Sequence, residues 1–167
     1  MINKKLFFYN KIFLKDHSFL VEGDLLFLKG HTIRSKLLYA FTNNDNFSHV
    51  GVLIRYNDRL HVVHANPKKG SFSRDAVILE RIDDFINNAS PSFMLVLRMK
   101  KKDPVLFKKI KQFLLNHVKN HTRFDHSFLL STNEYMYCTE LIYKSFLFAG
   151  VDLVKGSYDY VDTPIVT

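Results

Sequence analysis

The feature that most constrains the fold is a pair of apolar segments joined by a short polar turn, FSHVGVLIRYNDRLHVVHAN, at residues 47–66. Short apolar segments bounded by turn residues are typical of β-strands. Asn57 and Asp58 between them favour the backbone of a tight hairpin. We therefore expect strands at 48–55 and 60–66 that pair antiparallel.

The length of the turn decides which side chains share a face of this hairpin. A two-residue turn pairs Tyr56 with Arg59, and a four-residue loop keeps that register, whereas a three-residue loop would change it. Directly opposed residues point to the same side, as do residues two apart along a strand. His49, His64 and Asn66 then share a face, with the two histidines on a diagonal about 7–8 Å apart.

The remaining segments predict strands and helices on both sides of the hairpin. The apolar patterns predict strands at 25–28, 76–80 and 93–99, and helices at 32–42, at 81–88 and from Pro104 to near Asn120. The first twenty residues are ambiguous between helix and loop. Strands clustered between helical parts indicate an α+β class with an antiparallel sheet. A length of 167 residues suits a single domain, residues 1–167.

The only cysteine, Cys138, lies at or near the start of an apolar helical segment, residues 137–150, with Gly150 as the C-cap. One cysteine excludes an internal disulfide framework and a Cys-rich zinc site. Ser131 to Glu134 match a capping box that would start the helix earlier and bury the thiol one turn in. A start at the cysteine would instead let the helix dipole stabilise a thiolate.

A thiol beside an imidazole is a possible nucleophile, because the imidazole lowers the pKa of the thiol by forming an ion pair. A third group must then hold the tautomer of the imidazole. His64, or failing that Asn66, could do this for His49. A lone cysteine on an apolar helix is more often a core residue. The histidines could equally be surface residues or metal ligands, but no set of ligands beyond Cys138 accompanies them, so no metal is expected.

The formal net charge of +8 admits anionic partners. Lys and Arg are spread along the chain, which favours a solvated surface. Their densest cluster, residues 99–121, predicts an amphipathic helix with a basic face that could lie on an anionic membrane surface. No arrangement of basic and aromatic residues resembles a nucleic-acid motif, so no nucleic-acid partner is expected.

The sequence contains no apolar run of roughly 18 residues, the length that spans a bilayer. The N-terminus has a basic start, but Lys11, Lys15 and Asp16 interrupt its apolar part and no small-residue cleavage site follows. We therefore do not expect a cleavable signal peptide. A single free thiol suits a reducing compartment, which favours a cytoplasmic location, of the cell itself or of a host.

Five segments in order, GDLLFLKG, FSHVGVLI, VVHAN, RFDHSF and YCTELIYKSF, resemble the YiiX-like branch of the circularly permuted, papain-like cysteine hydrolases of the NlpC type. The resemblance covers roughly residues 20–150. It implies a permuted papain-like fold, in which an antiparallel sheet packs against the helix that carries the nucleophilic cysteine. It also implies that this helix starts at about Cys138 rather than at 131–134. It also places the histidine before the cysteine, the reverse of papain's order.

The resemblance implies a role for each candidate residue. By position, Cys138 is the nucleophile, His49 the general base and His64 the orienting residue. The YiiX-like pattern usually has Glu at the place of His64, and a neutral histidine stabilises the imidazolium less than a carboxylate would. The other implied roles are oxyanion or substrate binding for Tyr137, Asn66 and the Cys138 backbone amide, and structural support for Asp24, Asp125 and Glu140.

The implied reaction is hydrolysis or acyl transfer through an acyl-enzyme on Cys138, with no cofactor. Relatives of this type act on peptide amides, such as cell-wall-like peptides, or on lipid acyl bonds. The alternative is a catalytically weak or inactive binding module of the same fold, which uses its basic surface on a membrane or another anionic partner. A thiol-exchange role is disfavoured because the chain lacks a second, resolving cysteine.

Overall fold

The computed structural model describes residues 7–13, 18–28, 47–67, 76–87, 93–101 and 103–153. These ranges contain six strands and three helices. The strands are β1 (Phe7–Phe13), β2 (Leu25–Leu28), β3 (His49–Tyr56), β4 (Arg59–Asn66), β5 (Ala76–Arg81) and β6 (Phe93–Met99). The helices are α1 (Ile82–Asn87), α2 (Pro104–Lys119) and α3 (Cys138–Phe148).

The six strands form one sheet in the order β1-β6-β2-β3-β4-β5. Every neighbouring pair in it is antiparallel. This confirms the predicted α+β class. None of the helices in the described ranges is long and apolar enough to cross a membrane.

The central hairpin has the predicted turn and register. Asn57 and Asp58 have φ of 47° and 60°, the left-handed conformation that a two-residue type I′ turn requires at both positions. Tyr56 pairs with Arg59, and the register continues to Val52 opposite Val63. The turn therefore fixes which side chains of β3 and β4 share a face.

The ladder pairing between β3 and β4 ends before the strands themselves end. β3 remains paired with β2 as far as His49, and β4 remains paired with β5 as far as Asn66. The pairing between β3 and β4 runs from Tyr56 to Val52, although residues 49–51 and 64–66 are all described. Residues 49–51 and 64–66 therefore lie beyond the paired part of the hairpin.

One face of the sheet packs against α2 and α3. Alternate residues of β3, Val50, Val52 and Ile54, share a buried cluster with Ile110 of α2 and Leu141 of α3. This spacing of two along a strand is what a face buried under helices requires.

The opposite face packs against α1. Leu26, Leu53 and Val62 form a second buried cluster with Ile82 and Phe85 of that short helix. The sheet thus separates two apolar cores, one on each side.

Helix α3 begins at Cys138, with Tyr137 as its N-cap. The backbone N–H of Tyr137 donates to the Glu140 carboxylate at 3.2 Å, which satisfies one donor at the helix start. The alternative start at 131–134 is wrong, because the chain just before the helix forms β-type contacts with Arg123 instead.

The expectation for the N-terminus is also wrong. The first twenty residues were ambiguous between helix and loop, whereas Phe7–Phe13 form a strand along β6. The partner strand lies more than eighty residues away in the chain, so no local pattern could show the pairing. Gly150 follows α3 with φ 93°, as expected of a residue that ends a helix in the left-handed conformation. The predicted helix at 32–42 lies outside the described residues.

Candidate active site

The two histidines predicted to share a face of the hairpin are in direct contact. His49 Nε2 lies 2.7 Å from His64 Nδ1, and the rings meet edge to face with centroids 4.9 Å apart. Gly51 makes room for this contact, because a Cβ there would lie 2.3 Å from Val62 Cγ1 and 3.2 Å from His64 Cβ. The predicted diagonal pair is therefore joined through its side chains at hydrogen-bond distance.

Phe85 of α1 covers both imidazoles. Its ring centroid lies 5.7 Å from that of His49 and 4.9 Å from that of His64. Burial lowers the pKa of His49 well below its ordinary value of 6.5, and the nearby His64 lowers it further. The His49 ring is consequently neutral at neutral pH, which is the state of a general base.

The second ring nitrogen of His64 contacts a carboxylate that the sequence analysis missed. His64 Nε2 lies 3.0 Å from Glu80 Oε2, and the two side chains are only 3% and 16% exposed. Glu80 lies on β5 opposite Val62, which puts it on the same face as His64. The strand at 76–80 was predicted, but no short turn fixes its register against β4, so the sequence could not place Glu80. We call His49, His64 and Glu80 the imidazole relay.

The thiol of Cys138 lies at the first residue of α3, on the other side of the sheet. Its side chain is 7% exposed and belongs to the cluster that contains Val50. The backbone N–H groups of Val50 and Thr139 act on the sulfur as hydrogen-bond donors. Because Val50 directly follows His49 in β3, the sulfur lies against the strand that carries the imidazole.

The charge state of the thiol differs from the expectation. Burial raises the pKa of Cys138 to about 11, although the backbone N–H groups act in the opposite direction. Within the described ranges, the thiol forms no hydrogen bond with the His49 ring. The predicted lowering of the thiol pKa is therefore wrong for this state, which has a neutral thiol beside a neutral imidazole.

The two ring nitrogens of His49 differ in their contacts. Nε2 is engaged with His64, and Nδ1 has no hydrogen-bond partner among the residues that the structure describes. An unengaged, unprotonated imidazole nitrogen can accept a proton. The arrangement is therefore compatible with the role of general base predicted for His49.

Residues 20–158 match the family of permuted papain-like amidase enzymes, YaeF/YiiX, C92. The chain belongs to this family. This confirms the YiiX-like resemblance and the permuted papain-like fold, and it makes the protein a papain-like cysteine hydrolase in general terms. The narrower NlpC-type assignment stays a prediction.

A solved structure shows the same fold. The crystal structure of the metalloprotein YiiX from Escherichia coli O157:H7 is similar to this chain with a TM-score of 0.61 and 22% identity, over 78% of this chain and 67% of that one. A search among curated proteins found no match.

The imidazole relay of this C92-family chain does not have the geometry of a metal site. Two imidazole ligands at about 2.0–2.1 Å from one zinc ion would have their nitrogens about 3.3 Å apart in a tetrahedral site. The facing nitrogens of His49 and His64 are closer, at 2.7 Å, and point at each other. Among the described residues, no three His, Cys, Asp or Glu side chains converge as an ion site would require.

Tyr137 was predicted to contribute to an oxyanion site, but its side chain lies in the core. It is fully buried, with its ring centroid 5.2 Å from that of Phe128. Its hydroxyl has no hydrogen-bond partner within the described part of the chain. Burial, followed by the charge of Glu140, raises the pKa of Tyr137. The hydroxyl therefore stays protonated and cannot contact a substrate in this conformation.

Asn66 lies at the end of β4, where it pairs with Ala76 of β5. Its side chain is partly buried. Among the described residues it makes no hydrogen bond to His49, and His64 takes the orienting position instead. Asn66 thus stays a predicted substrate-binding residue only.

Asp24 and Asp125, predicted as supports, both hold loops. Asp24 is fully buried and accepts hydrogen bonds from Arg98 at 2.7 Å on each oxygen and from the Val21 backbone at 2.9 Å. Asp125 accepts from the backbone and hydroxyl of Ser127 at 2.8 and 2.5 Å. Carboxylates that accept several hydrogen bonds fix the local backbone.

Glu140, the third predicted support, is fully buried in the first turn of α3. Its carboxylate accepts from the Tyr137 backbone and lies 2.7 Å from Lys144 Nζ. Burial raises the pKa of Glu140 to about 7, although Lys144 acts in the opposite direction. The side chain therefore joins the N-cap of α3 to its second turn.

Proposed function

We propose that the protein is a thiol-dependent hydrolase, or an acyltransferase of the same chemistry, that works through an acyl-enzyme on Cys138. The observation that supports this most is the position of the Cys138 sulfur, at the start of α3 and against the backbone N–H of Val50. The residue before Val50 is His49, whose partner His64 holds one ring nitrogen. The proposed nucleophile thus contacts the residue that follows the proposed base, and the orienting group contacts the base itself.

Acylation follows from the two charge states. The thiol and His49 are both neutral at neutral pH, because burial raises the pKa of one and lowers the pKa of the other. The sulfur attacks the acyl carbonyl carbon while its proton passes to His49 Nδ1. The imidazolium then gives that proton to the departing amine or alcohol as the acyl–leaving-group bond breaks.

Deacylation uses the same groups in reverse. His49 takes a proton from a water molecule or an amine, which attacks the thioester carbonyl. The sulfur leaves and recovers the proton, and the product is an acid or a new amide. The choice between water and amine decides between hydrolase and acyltransferase.

The developing oxyanion requires donors beside the sulfur. The first N–H groups of a helix have no partner within the helix, and those of Cys138 and Thr139 act on the sulfur. We therefore propose the Cys138 backbone N–H as an oxyanion donor, in a site where charge is stabilised by fixed dipoles. The buried Tyr137 hydroxyl does not support the role predicted for that side chain.

The proposed substrates are peptide amides or lipid acyl bonds, as the resemblance implies. The first part of α2 and the turn before it expose Lys101, Lys108 and Lys109, and Lys119 is exposed at the helix end. This basic surface favours an anionic substrate or a membrane surface that carries it. No nucleic-acid partner and no cofactor are proposed.

A binding module of the same fold is the second candidate. The pKa of about 11 for the Cys138 thiol favours it, since few molecules carry a thiolate at neutral pH. Such a module would bind vesicles with anionic lipids in a steeply salt-dependent way without forming a covalent adduct.

Mass spectrometry of the intact protein tests the proposal. The protein is mixed with activated peptide amides and with fatty-acyl nitrophenyl esters, and the added mass on Cys138 is followed in time. We expect an adduct that Cys138→Ala abolishes and that His49→Ala slows by about 10²- to 10⁴-fold. His61→Ala is the matched control, because His61 lies on the same hairpin but contacts Tyr56 instead. An adduct that forms equally in Cys138→Ala, or no adduct with any donor, would contradict the proposal.

A further inference from the structure

The imidazole relay ends in a carboxylate that neither the sequence pattern nor the family resemblance assigns. Glu80 Oε2 lies 3.0 Å from His64 Nε2, and His64 Nδ1 lies 2.7 Å from His49 Nε2. The three side chains come from three consecutive strands of the sheet, β5, β4 and β3. Glu80 is thus two hydrogen bonds away from the nitrogen that would take the thiol proton.

A carboxylate at the end of two imidazoles fixes where their protons lie. An ionised carboxylate only accepts hydrogen bonds, so His64 must donate to Glu80 from Nε2. A neutral imidazole carries one proton, which leaves His64 Nδ1 as an acceptor. His49 then donates from its own Nε2, and its Nδ1 is left unprotonated.

The opposite proton arrangement would disable His49. If His64 carried its proton on Nδ1, that nitrogen would donate to His49 Nε2. The single proton of a neutral His49 would then lie on Nδ1, the nitrogen left for the thiol. A base with its proton on that nitrogen cannot accept another.

We infer that Glu80 is a positioning residue, which selects the base-competent tautomer of His49 through His64 and stabilises the imidazolium that forms there. The inference rests on the proposed function, in which His49 is the base. When His49 takes the proton of Cys138, its Nε2–H still donates to His64, and His64 still donates to Glu80. No proton reaches the carboxylate, but its negative charge is joined to the new positive charge by two hydrogen bonds.

Glu80 also accounts for the histidine at the orienting position. The resemblance implies Glu at that position, whereas this chain has His64. The structure places a carboxylate one side chain further along, on β5, in line with the second imidazole. A negative charge is therefore still linked to the base by hydrogen bonds, but it lies one imidazole further away than a Glu at position 64 would.

A purely structural role makes a different prediction. A hydrogen bond that only holds β5 against β4 would contribute to the free energy of unfolding, and its loss would leave the tautomers of His49 and His64 unchanged. The positions of the ring protons therefore separate the two roles.

Nitrogen NMR of the histidine rings in the full chain is the direct test, since it distinguishes the two tautomers without any substrate. Glu80→Gln keeps the shape but offers His64 either an amide oxygen or an amide N–H. We expect one tautomer of His49, protonated on Nε2, in the wild type and in Glu80→Asp, and a mixture in Glu80→Gln. Acylation of Cys138 by an ester should slow by about 10- to 100-fold in Glu80→Gln with KM unchanged.

Glu22→Gln is the matched control, because Glu22 pairs with Lys111 and has no contact with the relay in the described residues. It should leave both tautomers and the acylation rate unchanged. A single wild-type tautomer in Glu80→Gln would overturn the inference, even if stability fell. Absence of any acyl adduct in the wild type would instead overturn the proposed function, and the NMR result would still decide the role of Glu80 on the tautomers.

Discussion

The imidazole relay and the start of α3 are both buried, yet burial has a different outcome in each. In the relay, His64 has a polar side chain at each ring nitrogen, at 2.7 and 3.0 Å. At the start of α3, the sulfur of Cys138 receives backbone N–H groups, and burial raises the pKa of its thiol to about 11. In the proposed mechanism the base is therefore arranged before substrate arrives, whereas the thiol loses its proton only during the reaction.

The two regions also lie on opposite faces of the sheet. The imidazoles pack under Phe85 of α1, and the thiol belongs to the core beneath α2 and α3. Both lie at the His49–Val50 end of β3, beyond the part of that strand that pairs with β4. The proposal that His49 serves Cys138 therefore rests on this end of β3, where the His49 ring contacts His64 and the Val50 N–H acts on the sulfur.

The largest expected effect concerns the ionisation of the thiol. With a pKa of about 11, about one Cys138 side chain in 10⁴ is a thiolate at pH 7. Ultraviolet absorbance of the thiolate, taken as the difference between wild type and Cys138→Ser, should rise only toward pH 11. A rise centred at or below the ordinary value of 9.0 would contradict this account and show that the protein stabilises the thiolate.

The next largest effect is a pH dependence of stability caused by Glu140, a buried carboxyl in the same turn of α3 as the thiol. Its pKa is raised from 4.5 to about 7, so the folded state binds this proton more tightly than the unfolded state does. The stabilisation is complete below pH 4.5 and is lost as the pH rises to about 7, by about 3 kcal/mol. Urea denaturation across this range should show the loss in wild type.

Glu140→Gln removes the titrating group and should flatten that part of the pH dependence. Glu22→Gln is the control, because Glu22 is partly exposed and its pKa is lowered. If the free energy of unfolding changed equally with pH in wild type and in Glu140→Gln, burial would not be raising the pKa of Glu140.

The smallest effect concerns the contact that brings the imidazoles together. A Cβ at Gly51 would lie 2.3 Å from Val62 Cγ1 and 3.2 Å from His64 Cβ. Gly51→Ala should therefore lower the free energy of unfolding by about 1–3 kcal/mol and displace His64 from His49. Ring NMR shifts of both histidines report the displacement.

Gly150→Ala serves for comparison, since a Cβ at Gly150 meets no atom within 4 Å but its φ of 93° strains any other residue. It should lower stability without changing the histidine shifts. Unchanged histidine shifts in Gly51→Ala would show that the relay does not depend on the close approach of β4.

Local patterns in the sequence predicted the part of the site that one hairpin controls. The turn at Asn57 and Asp58 fixes the register of β3 and β4, and the period of two along a strand then places His49 and His64 together. The start of α3 at Cys138 came from the family resemblance, because the local capping signal at 131–134 favoured an earlier start. Competing local signals at a helix start are settled by tertiary contacts, in this protein by those around Arg123.

The parts that could not be predicted depend on distant pairings. The register of β5 against β4 places Glu80, and no short turn joins these strands. The strand at Phe7–Phe13 exists because it pairs with β6. The pKa of Cys138 is set by how completely α3 and the sheet exclude water, which a sequence pattern does not contain.

The most direct test of the account is the pH dependence of Cys138 acylation in wild type and in His49→Ala. A neutral thiol assisted by a neutral imidazole reacts at a rate that is constant between the pKa of His49, below 6.5, and that of the thiol, about 11. Without the imidazole the rate should rise about tenfold per pH unit, because only the thiolate then reacts. We expect a flat profile for wild type and a rising one for His49→Ala, whereas two profiles of the same shape and height would contradict the claim that His49 is the base for Cys138.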